Sequence, residues 1–473
     1  MRWPAVTIAS LVAGWASAAG AVERFPPPDF TRHELPPTVV PLPEAPWLEY
    51  VWLALLVAGM ITAALFALRW RRRWGLLLTA VAALVLFGFL RGGCVCSIGA
   101  IQNVSLAAAG TGYVVPWVVV AFFALPLLFA LAFGRVFCAA VCPLGAVQEM
   151  AALKPLQVPR WIDDALGLLA HVYLGLAVLL AATGTAMVIC RYDPFVGFFR
   201  LGATVNMLVF GGALLLIGVF VGRPYCRYLC PLGVLLRWTS LLSKWHVRIP
   251  AEECIHCRLC EEACPYGAIR EPTVPQSNAD RRRGRRRLLL LLLALPLLIA
   301  AGGWLGGWLT GPLSRMHPTV RLAEIVAEAR ATSVTADEAS SADATRDLGD
   351  RASERPPQPD AAQGDAGQGD VGDDSPDQQR QSTAALKAFG NTGTPADTLF
   401  AAASAKVATM RLGAHLFGAW VGLVIGGKLI ALNLRRRRRD WQPDRGACVS
   451  CGRCFKYCPT NQIETNPITI QTH

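Results

Sequence analysis

The chain has 473 residues, of which 53% are hydrophobic, and its mean hydropathy is +0.39. This composition is too apolar for an ordinary soluble protein of that length. The net charge of +12 is concentrated in arginine runs at 69–74, 281–287 and 435–439, and each run adjoins a long apolar stretch. Arginine in that position is typical of the cytoplasmic flank of a membrane helix, so no nucleic-acid partner is expected.

The N-terminal segment has the pattern of a secretory signal. Residues 1–21 contain one arginine, a short apolar core and several small residues near their end, which predicts a signal peptide. An uncleaved signal anchor is the alternative. Residues 22–46 are rich in proline and are expected to form an extended periplasmic tether.

Seven apolar segments then predict membrane helices, because most approach the ~20 residues that cross a bilayer. They lie at about 47–68, 74–90, 114–133, 165–189, 204–221, 288–309 and 412–434. The arginine runs set the orientation, with the N-terminus outside and the C-terminus in the cytoplasm. The predicted fold class is mainly α, a polytopic helical membrane bundle of about seven spans. A small cytoplasmic α+β ferredoxin-like domain with two clusters is expected beside it.

A cysteine phrase, G-R-x-x-C-x3-C-P-L-G, occurs at 134–145 and again at 222–233. Its cysteine spacing places two sulfur atoms on one helix face, and the proline after the second cysteine predicts a break there. Both copies are expected on the cytoplasmic side, where four thiolates could hold a further redox or metal centre. The candidates are Cys138, Cys142, Cys226 and Cys230. A packing seam lined by unliganded thiols is the alternative. Arg135 and Arg223 are either membrane anchors or charges that act on this centre.

A third, altered copy of the phrase, GGCVCSIGAIQ, lies at 92–102. It aligns with the first intact copy through C-x-x-G-A-x-Q, which pairs Gln102 with Gln148. The predicted orientation places this copy outside the cytoplasm. Three exterior cysteines are expected either to form a disulfide or to hold a redox centre that faces periplasmic partners: Cys94, Cys96 and Cys190.

Two longer cysteine sets, CIHCRLCEEACP at 254–265 and CVSCGRCFKYCP at 448–459, share the spacing C-x2-C-x2-C-x3-C-P. This spacing is typical of [4Fe–4S] ferredoxins, in which the fourth cysteine of each set binds the other cluster. One cluster is therefore expected on Cys254, Cys257, Cys260 and Cys458, and a second on Cys448, Cys451, Cys454 and Cys264. Two independent clusters, each on its own four cysteines, are the alternative. The segments WHVRIP at 245–250 and NPITI at 466–470 are predicted to pair as edge strands.

Residues 311–411 are expected to form a disordered periplasmic loop, because their acidic, Gly-rich and Ser-rich middle lacks apolar periodicity. The predicted domains are a five-span membrane domain at 47–221, a first ferredoxin half at 222–280, span six at 281–310, this loop, span seven at 412–434 and a second ferredoxin half at 435–473.

The phrases GRVFCAAVCPLGAVQE and ICRYDPFVGFF, followed by two ferredoxin sets, resemble the membrane polyferredoxins of the NosR/NapH type. The resemblance covers roughly residues 75–270 and 440–465 and implies a quinol dehydrogenase-like electron-transfer subunit. Such a subunit links the quinol pool to a periplasmic reductase or its maturation system. The chain is expected to lack the N-terminal flavin domain of the NosR-like members, because residues 22–46 are too short for one.

Two further expectations accompany this resemblance. LGAT at 201–204 matches a covalent-flavin sequence only in part, through Thr204 as the acceptor, so flavin is not expected. The alternative function is a redox-sensing regulator or a cofactor-assembly factor that carries iron–sulfur clusters.

Overall fold

The computed structural model describes residues 45–93, 97–110, 112–249, 254–273, 277–332, 376–434 and 438–459. The chain divides into two compact units, residues 1–48 and residues 49–473. Of the first unit only residues 45–48 are described. The described chain is mainly helical, which confirms the predicted fold class at that level.

The elements are numbered here in chain order. They are α1 (Pro46–Ala64), α2 (Arg73–Ala83), α3 (Ala100–Ala108), α4 (Trp117–Phe133), α5 (Val136–Ala140), α6 (Pro143–Ala151), α7 (Arg160–Ala182), α8 (Val188–Tyr192), α9 (Pro194–Phe199), α10 (Val205–Phe220), α11 (Pro224–Tyr228), α12 (Pro231–Leu241), α13 (Leu259–Glu262), β1 (Ile269–Arg270), α14 (Asn278–Trp308), α15 (Thr310–Arg315), α16 (318–332), α17 (Pro376–Asn391), α18 (Ala396–Asn433), β2 (Gln442–Pro443) and α19 (Arg453–Tyr457). Turns of π-helix extend α1 to Arg69 and α2 to Leu90.

The seven apolar segments all fall on helices. Within the described residues, α1 and α2 with their extensions, α7, α14 and α18 are long and apolar enough to cross a membrane, and α4 and α10 are shorter apolar helices of 17 and 16 residues. Large apolar side chains point away from the protein on these helices; Leu293 and Leu297 of α14 are 72% and 71% exposed. Such surfaces are costly in water and are suited to lipid.

Each intact cysteine phrase folds as two short helices with a break between them. Cys142 caps the N-terminus of α6 with Pro143 in its first turn, and Cys230 and Pro231 stand in the same positions on α12. Proline favours the first turn because its missing N–H is not needed there. The predicted break is confirmed, and it separates the two cysteines of each phrase onto different helices.

The helices α14 and α18 pack against each other at unusually short distance. A side chain on Gly418 would overlap the backbone of Gly302 and Gly306, and one on Gly422 would overlap the carbonyl of Leu298. Small residues at such positions let two membrane helices approach closely. This contact fixes the two helices that link the ferredoxin halves along the chain.

The structure corrects the expectation of a disordered loop over 311–411. Both flanks are helical, and Val320 and Val326 of α16 pack with Leu399 and Ala403 of α18 in a small apolar core. The acidic middle dominated the composition, whereas the apolar spacing on α16 was the signal for a packed helix. Residues 333–375 lie outside the described part of the chain.

The predicted edge strands are also corrected. Residues 245–249 form no strand, because Trp245 donates its backbone N–H to Ala132 at the end of α4 instead; residues 466–470 lie outside the described residues. A different pair joins the ferredoxin halves: β1 and β2 are antiparallel, with Ile269 opposite Pro443 and Arg270 opposite Gln442.

Candidate functional site

The fourth cysteine of the first ferredoxin set lies with three cysteines of the second set. One cavity is lined by Cys264, Cys448, Cys451 and Cys454. Burial and the neighbouring thiols of Cys451 and Cys264 together raise the pKa of the Cys448 thiol to about 12. Thiols in this environment ionise only when a cation is bound beside them. We call these four residues the inner ferredoxin site.

The other ferredoxin cysteines line a second cavity. It is bordered by Cys254, Cys257, Cys260 and Cys458, with Cys454 also at its edge. Burial and the neighbouring thiol of Cys254 together raise the pKa of the Cys260 thiol to about 11. Cys257 is exposed, while the other three are half-buried. We call these four residues the outer ferredoxin site.

The backbone around the second cysteine of each ferredoxin set adopts the same unusual conformation. His256 and Arg258 flank Cys257 with φ of 56° and 62°, and Ser450 and Gly452 flank Cys451 with φ of 55° and 70°. A positive φ is uncommon for residues other than glycine. Where residues of left-handed and right-handed backbone conformation alternate, successive backbone N–H groups point inward and form an anion-binding concavity. An iron–sulfur cluster held by four thiolates is an anion, so both loops fit such a group.

The two intact phrases bring a third group of thiols together. Cys138, Cys142 and Cys230 are buried and Cys226 is half-buried. Burial raises the pKa of Cys142, and the thiols of Cys226 and Cys138 raise it further. The thiols of Cys226, Cys142 and Cys138 act on Cys230 in the same way, after burial itself. All four candidates from the sequence therefore lie together, and we call them the membrane thiol site.

The phrases cross over so that the arginine of each meets the glycine of the other. A side chain on Gly145 would lie 3.2 Å from Nη1 of Arg223 and 2.9 Å from the carbonyl oxygen of Cys138. One on Gly233 would lie 3.5 Å from Nη2 of Arg135. Both arginines are buried, at 8% exposure for Arg135 and 1% for Arg223. Both arginines therefore pack around the thiols, and their role is not limited to anchoring the chain at the membrane surface.

A glutamine supports two of the three copies of the repeat, whereas Leu236 occupies its position in the second intact copy. Oε1 of Gln148 accepts from the backbone N–H of Tyr225 at 3.0 Å, and its Nε2 donates to the sulfur of Cys226 at 3.2 Å. Gln102 occupies the equivalent position, with Oε1 accepting from the N–H of Ile189 at 3.1 Å and of Cys190 at 3.3 Å. The altered copy thus keeps the glutamine contact of the first intact copy. Cys94 and Cys96 lie outside the described residues.

Sequence reasoning missed one carboxylate that joins these sites. Glu149 on α6 is 6% exposed and accepts hydrogen bonds from four side chains. They are Nη2 of Arg73 at 3.1 Å, Nε of Arg223 at 3.1 Å, Nε of Arg453 at 2.9 Å and OH of Tyr266 at 3.3 Å. Burial alone would raise the pKa of Glu149, but the three arginines hold it below its usual value. We call these five residues the Glu149 junction.

The spacing of the side chains bears on the kind of metal centre. Within the described residues, no three His, Cys, Asp or Glu side chains converge closely enough to hold one metal ion. A single ion needs every thiolate within about 2.3 Å of one atom, whereas an iron–sulfur cluster spreads its thiolates over several irons.

Comparison with known families identifies two kinds of matching segment. A family of 4Fe-4S binding domains matches residues 115–163 and 203–250, which carry the two intact phrases. A second family of 4Fe-4S binding domains matches residues 247–270 and 441–464, which carry the ferredoxin sets. No solved structure matches the chain.

Several curated proteins are similar to part of the chain. The candidate electron transport protein YccM of Escherichia coli is 31% identical over 29% of this chain and 43% of its own length. Protein NirI of Paracoccus denitrificans is 35% identical over 31% of this chain and 23% of its own length. Regulatory protein NosR of Stutzerimonas stutzeri is 30% identical over 29% of this chain and 21% of its own length. The chain therefore spans less than half the length of each of these relatives. The matched domains, the relatives and the apolar helices together support similarity of the cysteine-bearing segments of this chain to the membrane-associated polyferredoxins of the NosR/NapH family.

Proposed function

We propose that this protein transfers electrons between the quinol pool and a periplasmic reductase, or the maturation system of that reductase. The observation that carries the proposal is that three clusters of cysteine thiols, namely the two ferredoxin sites and the membrane thiol site, lie in one continuous structure. The two ferredoxin sites are formed jointly by both ferredoxin sets, and the Glu149 junction connects one of them to the membrane thiol site.

The ferredoxin ligands follow the crossed arrangement. One [4Fe–4S] cluster is held by Cys254, Cys257, Cys260 and Cys458, and the other by Cys448, Cys451, Cys454 and Cys264. Support comes from the two cavities, each of which is lined by three cysteines of one set and the fourth of the other. Such clusters supply one-electron transfer when bound.

The membrane thiol site holds a further redox centre on Cys138, Cys142, Cys226 and Cys230. Its support is the convergence of the four thiols and the positive charge of Arg135 and Arg223 around them. Nε of Arg135 is buried without a hydrogen-bond partner among the described residues. A buried guanidinium that is only partly satisfied is costly, and an anionic centre beside it would offset that cost.

The clusters lie on the cytoplasmic side of the bacterial inner membrane. This orientation is supported by the arginine run that opens α14 and by the run that follows α18. A hydrocarbon core of ~30 Å then separates the ferredoxin sites from a periplasmic acceptor.

A redox-sensing regulator or cofactor-assembly factor is the second candidate function. It is favoured by one observation, the similarity to NosR, which is named as a regulatory protein. The two functions differ in their response to quinol. If the protein is an electron carrier, adding quinol to isolated membranes reduces the clusters; a regulator has normal cluster spectra and no quinol response.

The first experiment is iron and acid-labile sulfide analysis of the purified protein, combined with EPR. Three [4Fe–4S] centres would give about 12 irons per chain, and two would give about 8. A value near the lower number, with two EPR signals, would contradict a cluster at the membrane thiol site. It would leave the ferredoxin assignment standing.

A further inference from the structure

We propose that the Glu149 junction is the electron-transfer contact between the membrane thiol site and the inner ferredoxin site, and that Glu149 sets the reduction potentials of both. The inference rests on the proposed function, because it requires a redox centre at each site. One electron leaves one site and arrives at the other. No bond is broken and no proton is transferred.

The junction provides a continuous bonded path between the two sites. Arg223 donates to the carbonyl of Cys138 and, at 3.2 Å, to that of Ala139, while its Nε donates to Glu149. The other oxygen of Glu149 accepts from Arg453, whose neighbour in the chain is Cys454. Electronic coupling falls off more slowly along hydrogen bonds and covalent bonds than across a gap. One bonded route between the two sites therefore passes through this carboxylate.

A second branch of the path reaches the same ferredoxin site from the other ferredoxin half. Tyr266, two residues after Cys264, donates its hydroxyl to Oε2 of Glu149 at 3.3 Å. That oxygen also accepts from Arg223. Both halves of the ferredoxin thus contact one carboxyl group on α6.

The junction also controls charge between the sites. Arg223 is 1% exposed and acts electrostatically on both Cys226 and Cys451, so it lies within reach of both groups of thiols. Charges in a poorly hydrated interior act on each other strongly. The carboxylate of Glu149 opposes the arrival of an electron at either site. Neutralising it is therefore expected to raise both reduction potentials.

Docking of the ferredoxin does not depend on Glu149 alone. Arg227 pairs with Asp163 at 2.5 Å and donates to the carbonyl of Pro265 at 2.9 Å, and Arg135 donates to the carbonyl of Gly446 at 3.2 Å. These contacts link the membrane helices to both ferredoxin halves without Glu149. Because these contacts already hold the ferredoxin halves against the membrane helices, we assign the additional buried charge of Glu149 to electron transfer.

The test compares full-length wild type, Glu149→Gln and the control Asp164→Asn. Glutamine keeps the shape of Glu149 and removes its charge. Asp164 pairs with Lys428 at 2.8 Å between α7 and α18, so its variant removes an ion pair away from the junction. Iron content, reduction potentials by EPR titration and freeze-quenched transfer after substoichiometric reduction are measured on all three.

We expect all three proteins to keep their iron. In Glu149→Gln both potentials rise, and transfer between the two sites slows by at least an order of magnitude. Asp164→Asn resembles wild type in each respect. Unchanged potentials and an unchanged transfer rate in an iron-replete Glu149→Gln protein would overturn the inference.

A milder variant covers the case in which Glu149→Gln loses iron. Tyr266→Phe removes only the hydroxyl branch and leaves every charge in place, so transfer should slow while the potentials stay near those of wild type. A transfer rate equal to wild type would count against the path. If the wild-type protein has no redox centre at the membrane thiol site, the part of the proposed function that assigns one to this site is wrong. If that centre is present and the variants behave as wild type, only this inference fails.

Discussion

Gly145 and Gly233 each lie beside the arginine of the opposite phrase, with an added Cβ 3.2 Å from Nη1 of Arg223 and 3.5 Å from Nη2 of Arg135 respectively. The nearest atom to an added Cβ is a cysteine carbonyl oxygen in both cases, and backbone of this kind cannot move aside cheaply. The last glycine of the pattern G-R-x-x-C-x3-C-P-L-G is therefore required by the cysteine carbonyl of its own copy. The arginine is explained only by contact with the other copy.

We predict that Gly145→Ala destabilises the membrane thiol site. Its Cβ would lie 2.9 Å from the carbonyl oxygen of Cys138, and overpacking of this kind costs about 1–3 kcal/mol. The measurement is iron content together with the thermal unfolding midpoint in detergent. Gly212→Ala on α10 is the control, because nothing lies within 4 Å of its added Cβ. Equal iron content and equal midpoints in both variants would refute the role given to Gly145.

Cys458→Ser tests the crossed ferredoxin ligands. Because Cys458 lines the cavity of Cys254, Cys257 and Cys260, we expect the cluster of that outer site to lose an iron or become unstable. The signal of the inner site should persist. Cys264→Ser is the matched variant and should have the converse effect. Damage confined to the inner site in Cys458→Ser would establish two independent clusters instead, and EPR distinguishes the outcomes.

At the scale of elements, the close pair of α14 and α18 governs whether the ferredoxin halves can meet. α14 follows the first ferredoxin set along the chain and α18 precedes the second. The two halves then join through β1 and β2 and through the backbone bond from Asp444 to Ala268 at 2.7 Å. The glycines in the helices thus affect a site well away from them.

Replacing Gly418 with leucine should therefore weaken the ferredoxin sites. The added side chain would overlap the backbone of Gly302 and Gly306, and the helices would have to separate. A loss of about 1–3 kcal/mol is expected for such overpacking. Gly427→Leu lies on the same helix with open space at its Cβ and serves as the control. Ferredoxin EPR intensity per chain is the readout, and equal intensity in the two variants would contradict the argument.

For the whole molecule, the decisive question is which parts of the chain lie on each side of the membrane. The arginine runs predict that the helical segment around α17 lies outside and that both ferredoxin halves lie in the cytoplasm. Five long and two shorter apolar helices among the described residues are consistent with an odd number of crossings. The proposed carrier function depends on this arrangement, because it requires electrons to cross from one side of the membrane to the other.

Labelling with an impermeant thiol reagent tests the topology. A cysteine placed at Asn391, an exposed residue at the end of α17, should react in intact spheroplasts. One placed at Gln442, which is exposed in β2, should react only after lysis. The unmodified protein gives the background from its own cysteines. If Asn391→Cys is labelled only after lysis, the proposed orientation is wrong.

The sequence by itself determined the class of this protein. Cysteine spacing, apolar segment length and arginine position are local properties of the chain, and each depends on few residues. They were sufficient to predict the helical membrane architecture, the two ferredoxin sets and the break at Pro143 and Pro231. They were insufficient where average composition concealed a short apolar repeat, as on α16.

Only the tertiary structure decided which residues become partners. Arg223 meets Glu149 across 74 residues, Arg453 meets it across 304, and Arg135 meets Gly446 across 311. Nothing in the local pattern around Glu149 distinguishes it from a solvated carboxylate one turn from a helix end. Its burial depends on how α6, α11 and the ferredoxin halves pack together. Contacts of that range arise from packing, because the free energy of burying a charge depends on every group that surrounds it.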